Sequence, residues 1–189
     1  MALVQQEILV STFVKFNLGG IHLQGNGTAN TTPSSTSILL GSNSSVTSTN
    51  SVSIGNGIVN SAQDSIVLGN SGQAAGINDI SFGSLAVCSA PGGNHSKISI
   101  GASAQSSGLY AIAFGSQASA TNNTSMAFGR LANSSHANST VIGANVSSTA
   151  ANQVWLGGSG TTQTYVNVSA TGLLESTGYV VANNQVRAS

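Results

Sequence analysis

An alternation of apolar and polar positions that ends in glycine recurs along most of this chain. Each copy has two apolar residues spaced two apart, a mixed residue between them and a closing glycine, as in Val52-Ser53-Ile54-Gly55. The closing glycines are Gly41, Gly55, Gly69, Gly83, Gly101, Gly115, Gly129, Gly143 and Gly157. They follow one another at a constant 14-residue step, except for one 18-residue step between Gly83 and Gly101. A fixed period of this length predicts a repeat architecture.

The alternation before each glycine has period two, which predicts a strand and not a helix. The density of β-branched residues and glycine also disfavours helix. A 14-residue unit has room for about two short strands and two tight turns, which is one coil of a parallel solenoid. The sequence therefore predicts an all-β parallel β-roll of about nine coils, which would rise about 40 Å at the usual inter-strand spacing.

We expect the two apolar positions of each copy to fill the inside of the roll and the mixed residue between them to point outward. The predicted core column is Ile38, Leu40, Val52, Ile54, Ile66, Leu68, Ile80, Phe82, Ile98, Ile100, Ile112, Phe114, Met126, Phe128, Ile142, Val154 and Leu156. A second, weaker apolar column lies three residues after each glycine, as at Ile58, Ala104 and Val146. The recurring glycine predicts a positive-φ turn, or an approach too close for a Cβ atom.

The repeat divides the chain into three parts. Residues 36–160 form the array, residues 1–35 are a β-prone attachment arm or a cap, and residues 161–189 are a β tip or cap. Insertions in solenoids emerge as loops, often on the binding face. The 18-residue step therefore contains either a tolerated surface insertion or a candidate recognition loop, whose residues are Pro91, Gly92, Asn94 and His95. Trp155 is expected to pack between the array and residues 161–189, or to offer a platform for a sugar.

Composition excludes several classes of function. Four basic and four acidic residues give a net charge of zero, so the basic patch needed for nucleic-acid binding is missing. The single cysteine, Cys88, excludes an internal disulfide framework. No apolar run is long enough to predict membrane insertion, and the first residues lack the positive start and cleavage site of a signal peptide.

No pattern of reactive side chains predicts catalysis. His22, His95 and His136 lie far apart in sequence, whereas a metal site needs clustered ligands. Asp64 and Asp79 are expected to cap turns and not to form an acid pair. Calcium-binding rolls need nine-residue repeats rich in carboxylates, which this chain lacks. We therefore expect a non-enzymatic protein without catalytic residues, metal or cofactor.

The segments Asn50-Ser51-Val52-Ser53-Ile54-Gly55, Asp64-Ser65-Ile66-Val67-Leu68-Gly69 and Thr124-Ser125-Met126-Ala127-Phe128-Gly129 resemble the head repeats of YadA-like trimeric autotransporter adhesins. Those repeats have the same 14-residue length and the same order of strand and glycine, and similar heads occur in fibres of phages and large DNA viruses. The resemblance implies a left-handed parallel β-roll. It also implies a homotrimer in which three rolls pack around one axis.

From this resemblance we expect a trimeric fibre or spike subunit on the surface of a virion, because the stalk and membrane barrel of a complete adhesin are not found in this sequence. The expected partners are two further copies of the chain, structural proteins bound through the N-terminal arm, and a host glycan or surface receptor. The alternative is the head fragment of a bacterial trimeric adhesin on the cell surface. A third alternative, suggested by the Thr and Ser content, is an ice-binding solenoid.

Overall fold

The computed structural model describes residues 13–17, 20–24, 36–89 and 96–157 of the chain. All the regular structure in these ranges is β-strand. The strands are β1 (Phe13–Asn17), β2 (Gly20–Gln24), β3 (Ile38–Ser42), β4 (Ser45–Val46), β5 (Val52–Asn56), β6 (Val59–Asn60), β7 (Ile66–Leu68), β8 (Gln73–Ala74), β9 (Ile80–Phe82), β10 (Val87–Cys88), β11 (Ile98–Ile100), β12 (Gln105–Ser106), β13 (Ile112–Phe114), β14 (Ser119–Ala120), β15 (Met126–Phe128), β16 (Asn133–Ser134), β17 (Thr140–Ile142) and β18 (Val154–Leu156).

The strands form two sheets that run along the molecule. The long sheet has the order β1-β2-β3-β5-β7-β9-β11-β13-β15-β17-β18, and the short sheet has the order β16-β14-β12-β10-β8-β6-β4. Strands β3 to β17 alternate between the two sheets, and all neighbours pair in parallel except β1 and β2. Nine strands of the long sheet belong to the array, so the array makes about eight full turns. The prediction of a parallel β-solenoid is confirmed, and its handedness stays a prediction.

Each coil sits one repeat above the previous one. Ile54 pairs with Leu68 at the same position of the next repeat, and Ile80 pairs with Ile98 across the 18-residue step. The additional residues of the long step therefore leave the strand register unchanged. Backbone hydrogen bonds join the coils between the strands as well, for example from Gly69 N to the carbonyl oxygen of Ile54 at 2.9 Å. These bonds satisfy backbone polar groups where the chain turns between strands.

The closing glycines have a backbone role in the array. All nine have φ between 127° and 146°, a region that side chains rarely tolerate. A Cβ atom on Gly41 would lie 1.7 Å from the carbonyl oxygen of Gly55 in the next coil, and one on Gly101 would lie 2.5 Å from that of Gly115. Both reasons proposed for the repeated glycine, positive φ and close approach, are therefore confirmed.

The interior of the roll is filled by small side chains, and the predicted core column was wrong. The mixed residue at the centre of each strand points inward: Leu39, Ser53, Val67, Ser81, Ser99, Ala113, Ala127 and Val141 are fully buried. The weaker column after each glycine also lies inside: Ser44, Ile58, Gly72, Ala86, Ala104, Ala118, Ala132 and Val146 are buried. A Cβ atom on Gly72 would lie only 2.8 Å from a methyl carbon of Val67, so this interior is narrow.

The large apolar residues lie on the outer surface of the long sheet instead. Ile38, Leu40, Val52, Leu68, Ile80, Ile98, Ile100, Ile112, Met126 and Phe128 are half-buried, and Ile54, Ile66, Phe82, Phe114, Ile142, Val154 and Leu156 are exposed. Side chains alternate between the two faces of a strand, so burying the middle residue turns both of its neighbours outward. A coil this short encloses too little volume for two large side chains on one strand as well as the side chains from the opposite sheet. The size of the side chains therefore determines which face of each strand lies inside the roll.

Candidate interaction surfaces

No group of three or more His, Cys, Asp or Glu residues in ranges 36–89 and 96–157 is placed to hold a metal ion. Within the part of the chain that the structure describes, no helix has the length and hydropathy to cross a membrane. Asp64 is exposed in a positive-φ turn, whereas Asp79 is buried. The candidate sites are therefore surfaces, one on each sheet.

The outer surface of the long sheet, which we call the apolar face, consists of the outward pairs from β3 to β18. Its residues stack in two rows because corresponding positions pair in register, as Ile98 does with Ile112. The ring centroids of Phe114 and Phe128 are 6.4 Å apart along one row. Phe82 is 53% exposed and Phe114 is 51% exposed in the single chain. A continuous apolar surface of this kind marks an interaction site.

The outer surface of the short sheet, which we call the polar face, has a different composition. One row is Ser45, Val59, Gln73, Val87, Gln105, Ser119 and Asn133, and a second row is Thr47, Ser61, Ala75, Ser89, Ser107, Thr121 and Ser135. Neither row contains a charged residue. At one corner, Thr47, Ser61 and Gln63 contribute to a groove of about 390 Å³. Apart from Val59, Ala75 and Val87, the polar face presents hydroxyl and amide groups at the regular spacing of the coils.

Side chains form ladders along the turns of the array. Asn50 donates from Nδ2 to Oδ1 of Asp64 at 2.9 Å, and Asn138 donates from Nδ2 to Oδ1 of Asn152 at 3.0 Å. All four residues have positive φ, which Asn and Asp tolerate better than other non-glycine residues. The expectation that Asp64 occupies a turn position is therefore confirmed.

A buried ion pair lies inside the roll where the long step occurs. Most coils place serine just before the long-sheet strand, as at Ser51 and Ser65, but two successive coils place Asp79 and Lys97 there. Lys97 Nζ lies 3.3 Å from Asp79 Oδ1, and the side chains are 1% and 0% exposed. The carboxylate also accepts hydrogen bonds from the backbone N–H groups of Lys97, to Oδ1 at 2.9 Å, and of Gly76, to Oδ2 at 2.8 Å.

Burial raises the pKa of the Asp79 carboxyl group, while the Gly76 N–H group and the Lys97 ammonium group act to lower it. The sequence pattern did not single out this contact. A signal was available, because the separation of Asp79 and Lys97 in the sequence equals the length of the long step, so the two residues occupy the same register position.

Cys88 also lies inside this part of the roll. It is fully buried, and its S–H group donates to the carbonyl oxygen of Ile80 at 3.2 Å. Burial raises the pKa of the thiol to about 12. Because the thiolate is the reactive form, this cysteine is inert in the folded protein.

Several predicted sites lie wholly or partly outside the described residues. The candidate recognition loop with Pro91, Gly92, Asn94 and His95 lies outside them, and so does the whole tip at 161–189. In the N-terminal segment 1–35, β1 and β2 pair antiparallel, and β2 joins β3 in the long sheet. Trp155 is 42% exposed in β18, and its packing against the tip stays a prediction. The recognition role of the loop in the 18-residue step also stays a prediction.

The architecture defines a class: a parallel β-solenoid of 14-residue coils, closed by glycine, with a narrow interior and an apolar outer sheet. Comparison with protein families gives a match to two copies of the YadA head domain repeat, covering residues 40–57, 98–118 and 120–145. The matched parts of the array are therefore similar to YadA head domain repeats, as the sequence resemblance predicts. Among proteins with curated descriptions, none matches this chain.

Proposed function

We propose that this protein is the non-enzymatic, adhesive head of a homotrimeric surface protein. The observation that carries the proposal is the apolar face, which leaves two rows of large side chains exposed to water in the single chain. Full burial of a Phe, Ile or Leu side chain is worth about 1.5–3 kcal/mol relative to full exposure, and the exposed side chains of this face have roughly half of that gain left to make. An array that repeats such residues in every coil has a strong driving force to associate.

A second copy of the same chain is the partner that fits this face best. In a closed cyclic assembly every copy presents the same patch to the common axis, so no apolar face is left open. The rows repeat at the coil spacing, and a parallel copy repeats them at the same spacing. The match to YadA head repeats supports three copies as the number in the assembly.

The polar face then lies on the outside of the trimer and contacts the target. In ranges 36–89 and 96–157 the exposed charged residues are Asp64 and Arg130, since Asp79 and Lys97 are buried. Recognition therefore relies on hydroxyl and amide hydrogen bonds, which suits a glycan or another uncharged polar surface. Three identical faces allow weak contacts to combine into avidity.

The carrier of the head is either a bacterial cell or a virion. The match to the YadA head domain repeat supports the cell surface. The alternative is a virion fibre, which the sequence resemblance also suggests and which would use the same trimeric roll. An ice-binding role is not proposed, because Gln73, Val87 and Gln105 interrupt the outward rows and ice binding needs a uniform flat row of Thr.

Immunogold electron microscopy of cells and particles from the source tests the proposed location. Antibodies raised against the folded protein should label the outer surface of either the cells or the virions. The purified trimer should compete with the labelled cells or virions for binding to host surfaces. Labelling confined to the cell interior, together with no competition, would overturn the adhesive role.

A further inference from the structure

The Asp79–Lys97 pair brings an amine and a carboxyl group together inside the roll, away from water. The distance from Nζ to Oδ1 is 3.3 Å, and both side chains are at most 1% exposed. Ion pairs are expensive to bury, and most other coils have a serine at this position. Filling the interior therefore does not by itself explain why an ion pair occupies this position.

The surroundings of the carboxyl group favour reaction at its carbon atom. Each oxygen accepts a hydrogen bond from a backbone N–H group, Oδ1 from Lys97 and Oδ2 from Gly76. Fixed donors of this kind stabilise negative charge that develops on a carboxyl oxygen during attack. Burial also favours the neutral acid, since the pKa of Asp79 is raised by desolvation.

We propose that Lys97 and Asp79 condense into an intramolecular amide bond that joins successive coils across the 18-residue step. The ammonium group of Lys97 first gives a proton to the Asp79 carboxylate, which leaves a neutral amine and a neutral acid. The Nζ lone pair then attacks Cγ of Asp79 and a C–N bond forms. Nζ loses a second proton to the departing oxygen, the C–O bond breaks, and one water is released. No oxidant or other reactant takes part.

Two physical effects favour this bond inside the roll. Groups held in contact react with effective molarities of about 10⁵–10⁸ M, far above any concentration in solution. In water the separate ions are stabilised by hydration, but this stabilisation is lost on burial, so the neutral amide becomes the better buried state. The product is a covalent cross-link between the two coils that flank the 18-residue step.

Mass spectrometry of the intact, denatured protein tests the proposal directly. We expect a mass lower than that of the sequence by one water. Digestion with a protease that cleaves at aromatic residues should release one cross-linked species that contains both Asp79 and Lys97. A mass equal to that of the sequence, with the Lys97 amine available for acylation after unfolding, would overturn it. This result does not depend on whether the protein is trimeric or adhesive.

Substituted variants distinguish a water lost by the Lys97–Asp79 amide bond from a water lost by another reaction in the chain. Lys97→Arg keeps the positive charge but lacks the reactive amine, so its mass should equal that of its sequence. Asp79→Asn keeps the shape and should lose ammonia instead of water. If Lys97→Arg still lost one water, a succinimide elsewhere would explain the loss and the proposal would fail. The wild-type measurement stands even if a variant does not fold.

Discussion

Phe114 and Phe128 lie in neighbouring strands of the long sheet, with their ring centroids 6.4 Å apart on the outside of the roll. Large apolar rings on the outer surface of the coil are poorly placed in a single chain, because water contacts them. The same rings are well placed if another copy covers them. We therefore expect the proposed assembly to depend on the outer surface of this sheet and not on its interior.

Replacing Phe114 with serine should weaken self-association while leaving the coil intact. The side chain is 51% exposed in the single chain, so its loss removes little intramolecular packing. If burial between copies contributes about 1.5 kcal/mol per chain, the dissociation constant should rise about ten-fold or more. Sedimentation velocity over a dilution series measures this shift.

Val59→Ser is the matched control, because Val59 is 49% exposed but lies on the polar face. It should leave the association unchanged. Equal weakening by both substitutions would contradict the assignment of the apolar face as the contact between copies.

Replacing Gly115 with alanine should destabilise the roll strongly. Gly115 has φ of 139°, and a Cβ atom there would lie 2.4 Å from the carbonyl oxygen of Gly129. Backbone strain alone costs about 1–3 kcal/mol, and the clash adds to it. Thermal unfolding followed by circular dichroism should show a clear fall in Tm. Ser116→Ala, at the exposed neighbouring position, should change stability by less than about 0.5 kcal/mol.

The corrected orientation of the strands gives a third prediction. Ala127 is fully buried and Met126 is half-buried on the outer surface. Ala127→Leu should cost about 1–3 kcal/mol because the narrow interior cannot take the added atoms. Met126→Leu should cost less, since it conserves volume. If chemical denaturation ranked the two variants in the opposite order, the interior would have been assigned to the wrong face.

Cys88 should resist alkylation in the folded protein. Its thiol is buried and its pKa is raised to about 12, so at pH 8 almost no thiolate is present. Iodoacetamide should therefore label the native protein far more slowly than the protein unfolded in guanidinium. Raising the pH towards 12 should increase labelling only as the thiolate forms. Equal labelling rates in both states at pH 8 would contradict the burial of this side chain.

The period, the parallel coils and the role of the glycine could all be predicted from the sequence, because each depends on local spacing. The inward face could not be predicted from hydrophobicity, because alternation defines two faces without saying which one is enclosed. A better signal was size. Ala111, Ala113, Ala118 and Ala120 are all buried in one coil, and uniformly small residues mark a narrow interior.

The buried pair shows a second limit of prediction from sequence. Asp79 was predicted to cap a turn, and it accepts a hydrogen bond from the Gly76 N–H group, but its contact with Lys97 follows only from stacking the coils in register. The number of copies in the assembly depends on contacts between chains, which a single sequence pattern does not determine.

Sedimentation equilibrium of the wild-type protein tests the central claim most directly. If two further copies cover the apolar face of each chain, the particle has three times the chain mass of 18.7 kDa. We predict that mass at micromolar concentration, and the same mass in low and high salt, because apolar contacts are not screened. A stable species of one chain mass, with its β-structure intact on dilution, would contradict the account.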